Sequence, residues 1–306
     1  MTFDALFLIV LMLALGKLCA RARLFPESAA ETLNLFALYL CLPAAVLRYG
    51  AKLELGPEIL AIAVVPWGLG AIAAGLIVLL ARWLGWSRPV RTVLLLCVPL
   101  GNTSYLGYPL IQAMLGEAAL PYAVIYDQFG AFLMLSTYGL LVLAQQSGET
   151  RPTPAQLARR IVAFPPFVAL VLALTVMPAQ PHHAIDGVLV RLSDALLPIA
   201  ALAVGLQVKL RLPREELAPL GAGLALKLVV MPALALAWVW LAGMPRPAAD
   251  AVVLETAMPT MITAAALAIS HRIAPGFAAA MVGYSIVLSI LILPLWGLLL
   301  RHLGTA

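Results

Sequence analysis

Residues 94–116 read LLLCVPLGNTSYLGYPLIQAMLG. Both ends are as apolar as a membrane span, but the middle carries Pro99, Gly101, Asn102, Thr103, Ser104, Gly107 and Pro109. Proline withholds a backbone donor and collides with the carbonyl four residues back, and glycine tolerates unwound dihedrals. Unwound backbone survives at membrane depth only where protein or a wet cavity satisfies it. The stretch therefore reads as an interrupted helix. Asn102, Thr103 and Ser104 supply polar groups at the gap, and a half-helix starting near Pro109 aims free N–H groups into it, an end that favours anions.

The surrounding chain is built to be solvated by lipid. Of 306 residues, 63% are hydrophobic and 11% charged, against about 25% charged in a soluble domain, and the mean hydropathy is +1.03. Apolar runs fall at 3–20, 32–49, 57–84, 90–115, 119–144, 160–178, 187–208, 215–242, 248–270 and 275–300. At roughly 20 apolar residues per span, these are ten transmembrane helices in one membrane domain, with the N-terminus retained as the first. Lys and Arg alternate in density between the loops: thirteen follow odd-numbered spans and five follow even-numbered spans or the last one, with Lys227 inside span eight. Basic loops stay in the cytoplasm. The expected location is thus a bacterial inner membrane, with multiple passes and both termini outside the cytoplasm. The net charge of +5 belongs to this rule, and no nucleic-acid partner is expected.

Sliding the chain on itself by about 155 residues aligns Leu42-Pro43-Ala44-Ala45 with Leu197-Pro198-Ile199-Ala200. With one further residue of shift, Gly56-Pro57-Glu58-Ile59-Leu60 meets Leu212-Pro213-Arg214-Glu215-Glu216. The same offset carries Gly101–Pro109 of span four onto Thr256–Ala264 of span nine. The fold expected is all-α and polytopic, with residues 1–144 and 161–306 as two inverted five-helix repeats about a cytoplasmic linker, residues 145–160. Repeats of this kind place substrate at interrupted helices near the midplane. Span nine, ETAMPTMITAAALAISH (255–271), repeats the interruption at Pro259, with Thr256, Thr260 and Thr263 around it.

Three charges lie within spans: Asp127, Glu255 and Lys227. Each costs at least about 2.5–3.5 kcal/mol on insertion scales and is a functional candidate by default. Asp127 and Glu255 enter from the same face and are candidates for coupling transport to protons. Lys227 either pairs with Glu255 or holds a substrate carboxylate. Asp194 lies near the outer end of span seven, where water can reach it.

The string Asn102-Thr103-x-x-x-Gly107-x-Pro109, followed by AVIYDQFGAF (123–132), resembles the auxin efflux carrier family in its short bacterial form, and the likeness covers the whole chain. The resemblance implies a fold like sodium/proton antiporters and bile-acid symporters, with helices four and nine crossing at proline-centred breaks between a scaffold bundle and a transport bundle. It implies a small carboxylate as substrate: auxin in plants, malate or malonate in bacteria. Under it Asn102 matches the motif asparagine, Pro109 the crossover proline and Gln128 the polar residue of helix five; a homodimer through the scaffold helices is also implied. The plant pattern has a second proline where Ala264 stands, which leaves the second break centred either on Pro259 or near Ala264.

The candidate substrate site is therefore Asn102, Thr103, Ser104, Tyr108, Pro109, Gln128, Pro259, Thr260 and Thr263, and the candidate coupling groups are Asp127, Glu255 and Lys227. No phosphate loop, nucleophile elbow or metal-ligand spacing appears, so neither an enzyme, a metal site nor a cofactor is expected. The function expected is secondary or potential-driven carriage of an organic anion by movement of one bundle against the other, elevator-fashion. A sodium-coupled symporter of the bile-acid type is the alternative on the same fold, although the acidic residues are sparse for sodium. A membrane sensor or channel is the alternative of another class.

Overall fold

The computed structural model describes residues 3–26, 28–53, 56–147, 152–207 and 216–304. The described residues are helical, and a single two-residue bridge is the extended pairing among them. The helices are α1 (Phe3–Arg21), α2 (Ala29–Gly50), α3 (Pro57–Leu84), α4 (Arg88–Cys97), a π-helical turn Thr103–Gly107 leading into α5 (Tyr108–Leu115), α6 (Glu117–Gln146), α7 (Pro154–Val162), α8 (Pro165–Thr175), α9 (His183–Gln207), α10 (Leu217–Leu241), α11 (Ala248–Ala257), α12 (Ile262–Ser270) and α13 (Pro275–Gly304). Six of them, α2, α3, α6, α9, α10 and α13, are long and apolar enough to cross a membrane. The pair α7 and α8, bent by 66°, makes a seventh if taken as one span. The chain is a polytopic membrane protein. Its outward faces carry large apolar side chains such as Leu60, Trp83, Leu172, Trp240 and Leu291, which only lipid solvates well.

Helix ends follow local chemistry. Pro57 opens α3, where its missing N–H costs nothing, and Gly85 closes it at φ +67°, a conformation open to glycine. The expected linker is partly helical. Thr153 and Gln156 exchange side-chain and backbone hydrogen bonds in a capping box that starts α7, while 148–151 lie outside the described residues. Also outside them are Arg151, Lys209, Arg211 and Arg214 of the charge count, and the Leu212–Glu215 stretch of the repeat.

The helices sort into two packed groups. In the first, α1 lies along α9, and α2 packs on both α8 and α9. In the second, α3 packs on α4 and α6, α10 on α11 and α13, and α12 on α4 and α13. Along the chain, two helices of the first group precede those of the second, and this order then recurs. The α1–α9 contact is backbone on backbone. A Cβ on Gly16 would stand 2.6 Å from the Leu202 carbonyl oxygen and 2.9 Å from the Gly205 Cα. Small residues permit such approach, which is how apolar helices gain contact in lipid. At one end of the bundle the two groups are joined by charge: Arg48 of α2 reaches Glu117 of α6 at 3.1 Å and Lys52 reaches it at 3.5 Å, while within the first group Arg48 also reaches Asp186 of α9 at 3.3 Å.

Gly16→Val or Gly205→Val should force α1 and α9 apart and cost roughly 1–3 kcal/mol, the range of overpacking. Gly187→Ala, whose Cβ would meet nothing within 4 Å, should be neutral or stabilising. Thermal unfolding of the purified variants checks this; equal melting temperatures for all three would refute the close contact.

Candidate functional site

The interruption expected in span four is present, and its half-helices separate. Helix α4 ends at Cys97, and helical structure resumes at Thr103 with the π turn. Span nine breaks between Ala257, the end of α11, and Ile262, the start of α12. That places the second break on Pro259; Ala264 sits inside α12, where no second proline is needed. The two breaks cross and satisfy each other. Asn102 N donates to Pro259 O at 2.7 Å and Met261 N donates to Leu100 O at 2.9 Å, which forms the antiparallel bridge between Gly101 and Thr260. The crossover thus pairs Gly101 with Thr260.

Pro109 is likewise displaced from its expected role. It lies inside the second half-helix, beyond the π turn, and not at the crossover. Because Pro109 offers no N–H to the carbonyl four residues back, the preceding turn widens: Gly107 N bonds to Asn102 O at 3.1 Å, five residues back. The half-helix therefore starts at Thr103, and the N–H groups of residues 103–106 have no intrahelical acceptor.

Polar side chains gather on this frame, nearly all sealed from solvent: Asp127 and Glu255 are 0% exposed, Asn102 and Gln128 1%, and Lys227 2%. Asp127 is saturated. It accepts from Thr103 Oγ1, from Ser104 Oγ at 2.6 Å, from Tyr108 Oη at 2.8 Å and from Gln128 Nε2 at 2.7 Å. The carboxylate thereby fastens the first turn of the half-helix to α6. Lys227 lies where α4 and α11 end and donates to Thr256 O at 3.3 Å; a cation at helix C-termini offsets their partial negative charge. No ion pair joins Lys227 to Glu255, so the pairing alternative is not realised. Glu255 instead lies against the backbone of Gly107, where a Cβ would stand 2.5 and 2.8 Å from its two oxygens. Four buried polar atoms here have no hydrogen-bond partner: Asn102 Nδ2, Gln128 Oε1, and both carboxylate oxygens of Glu255.

A cavity of about 100 Å³ adjoins the break, lined by Asn102, Thr103, Ser104, Asp127 and Thr263 among apolar neighbours from α2, α6 and Phe164. The Phe132 ring stacks on Phe164, centroids 3.8 Å apart. Thr260 does not face this cavity. Its hydroxyl donates to Cys97 O at 3.1 Å and its N–H to Ser285 Oγ at 3.1 Å, so it staples the crossover. Pro259 contributes its carbonyl to the same staple. Asp194 is exposed. Ser285, Tyr126 (bonded to Thr256 at 3.0 Å) and Gly107 belong to the site although none was among the candidate site residues; of these, Gly107 stands in the motif of span four.

A family of sequences described as membrane transport protein matches residues 1–297 of the chain. The chain is 26% identical over 295 residues to an uncharacterized transporter of Methanothermobacter thermautotrophicus, covering 95% of this chain and 96% of that one. It is 22% identical over 313 residues to an uncharacterized transporter of Methanocaldococcus jannaschii, covering 98% and 99%.

Asp127→Asn replaces an acceptor oxygen by an amide donor and leaves at least one of the four buried donors unpaired. The expected loss is about 1–3 kcal/mol, read as a lower melting temperature together with faster amide exchange across residues 103–107. Unchanged exchange in that turn would show that Asp127 does not hold it.

Proposed function

The chain belongs to the membrane transport protein family, the auxin efflux carrier type, and from that premise we propose that it carries a small aliphatic carboxylate by alternating access at the crossed breaks. The observation that supports this most is the conjunction of an orphaned buried donor, Asn102 Nδ2, with the free N–H groups of residues 103–106 at one cavity. A carboxylate accepts from both and meets the positive end of a helix dipole. Cavity size narrows the class. At about 100 Å³ it favours acids of the size of malonate or malate over the bulkier indole acids.

The rest of the molecule is read in the same frame. The ten apolar runs are ten spans, with α4–α5 and α11–α12 as interrupted ones, and the recurring helix order reflects two inverted repeats. The first packed group, α1, α2, α8 and α9, serves as scaffold, and the second, with both breaks, moves against it. The Arg48 and Lys52 contacts to Glu117 cross from one group to the other and must part when the groups shift. The distribution of basic residues between the loops supports a reading with both termini outside the cytoplasm of a bacterial inner membrane.

Purified protein in liposomes should show saturable counterflow of malonate or malate, and indole-3-acetate should neither compete nor be carried. Asn102→Ala should reduce uptake about 10- to 100-fold, the equivalent of a lost hydrogen bond to a charged group. Flux that rises linearly with concentration would favour a channel instead. Absence of binding by any C2–C6 carboxylate would refute the substrate class.

A further inference from the structure

We propose that Glu255 is the coupling site: it takes up one cation, a proton or a sodium ion, when the substrate anion binds, while Asp127 has no coupling role. The proposal rests on the anion-carrier reading above and deepens it.

The two buried carboxylates at the crossover are treated in opposite ways. Asp127 has all its acceptor capacity met by Thr103, Ser104, Tyr108 and Gln128. Glu255 has none met: both oxygens are buried without a hydrogen-bond partner, and no cation lies within ion-pair distance among the described residues. A bare ionised carboxylate away from water is strongly disfavoured unless a positive charge sits on it. Two carboxylate oxygens without donors describe a place for a cation, not for a further anion.

The neighbourhood allows no internal substitute. The groups that act on Glu255 are Asp127 from α6 and Lys227 from α10, with Tyr108 of α5 and Tyr126 of α6 also facing it; α3 and α13, which pack on α11 as well, contribute no charge that does. Lys227 is engaged with the Thr256 carbonyl. With Asp127, Glu255 and Lys227 all charged, the crossover carries one net negative charge, and each ionised carboxylate of a substrate adds one more. One cation on Glu255 offsets one of them. Glu255 is also mechanically linked to the substrate end, because its carboxylate rests on Gly107, the last residue of the turn that opens the half-helix. Cation and anion then favour each other's binding, as linkage requires.

The test uses the full chain in detergent, without substrate, so that it is independent of the substrate class. Melting temperatures are measured from pH 5.5 to 8.5 in sodium chloride and in choline chloride of equal ionic strength. A shift of at least about 3 °C is expected in the wild type from one of the two cations. If sodium raises the melting temperature at constant pH, the cation is sodium. If acidification in choline does so, it is the proton, since a carboxyl that binds its proton more tightly when folded gains stability as pH falls. Glu255→Gln should lose that shift, while Asp127→Asn, from a lower starting melting temperature, should keep it. Should Glu255→Gln fail to fold, Glu255→Asp is read instead, with the shift displaced to higher cation concentration. A wild type indifferent to both cations, or a Glu255→Gln protein that responds as the wild type does, overturns the proposal. A normal cation response without carboxylate binding would overturn the substrate reading alone.

Discussion

Everything in this structure is arranged around one demand: two helices stop inside the buried body of the protein, and their freed backbone groups must find partners where water does not supply them. The two breaks meet this demand for each other. Asn102 N and Met261 N donate across the crossing to Pro259 O and Leu100 O. Thr260 closes two further valences through Cys97 O and Ser285 Oγ. Proline suits these positions because Pro99 and Pro259 have no N–H left to satisfy. Ser285 on α13 exists, in this sense, for a backbone amide twenty-five residues away.

The crossing divides the interior. The half-helices α5 and α11 pack into one buried core with α1, α2 and α9, and α4 and α12 pack into another with α10 and the start of α13. Each interrupted span therefore anchors in both cores, and the unwound segment is the joint between them. Charges follow the same geometry. Lys227 answers the carbonyl ends of α4 and α11, while Asp127 holds the amide end of the half-helix by its side chains and leaves the backbone N–H groups unclaimed. Glu255, alone among the three, has no hydrogen bond. A fully satisfied polar network rigidifies, and an unsatisfied group within it marks the place where something binds.

The two groups of helices differ in how they are held together. Within the first, Gly16 and Gly205 let α1 and α9 touch along their backbones, a contact that tolerates little sliding. Between the groups, Arg48 and Lys52 on Glu117 add polar joints at one end. Partly exposed ion pairs of this kind are worth little individually, and the apolar core that α5 and α11 share with α1, α2 and α9 is the larger contact.

Sequence alone was enough for the class of protein, the breaks in spans four and nine, and the buried charges, because each is a local or compositional property. Apolar runs of a bilayer's length, proline and glycine inside such a run, and an ionisable residue in lipid are all legible without knowing any contact. The family, too, was readable from the Asn102–Pro109 string. What sequence did not determine was everything that depends on register between distant segments. The family likeness put Pro109 at the crossover, yet the helix had already resumed six residues earlier as a widened π turn. That Gly101 meets Thr260 is decided only by the packed backbone. The contrast between Asp127, held by four donors, and Glu255, held by none, cannot be read from two acids in two apolar runs; it arises when α6 and α11 bring them to the same turn of one half-helix.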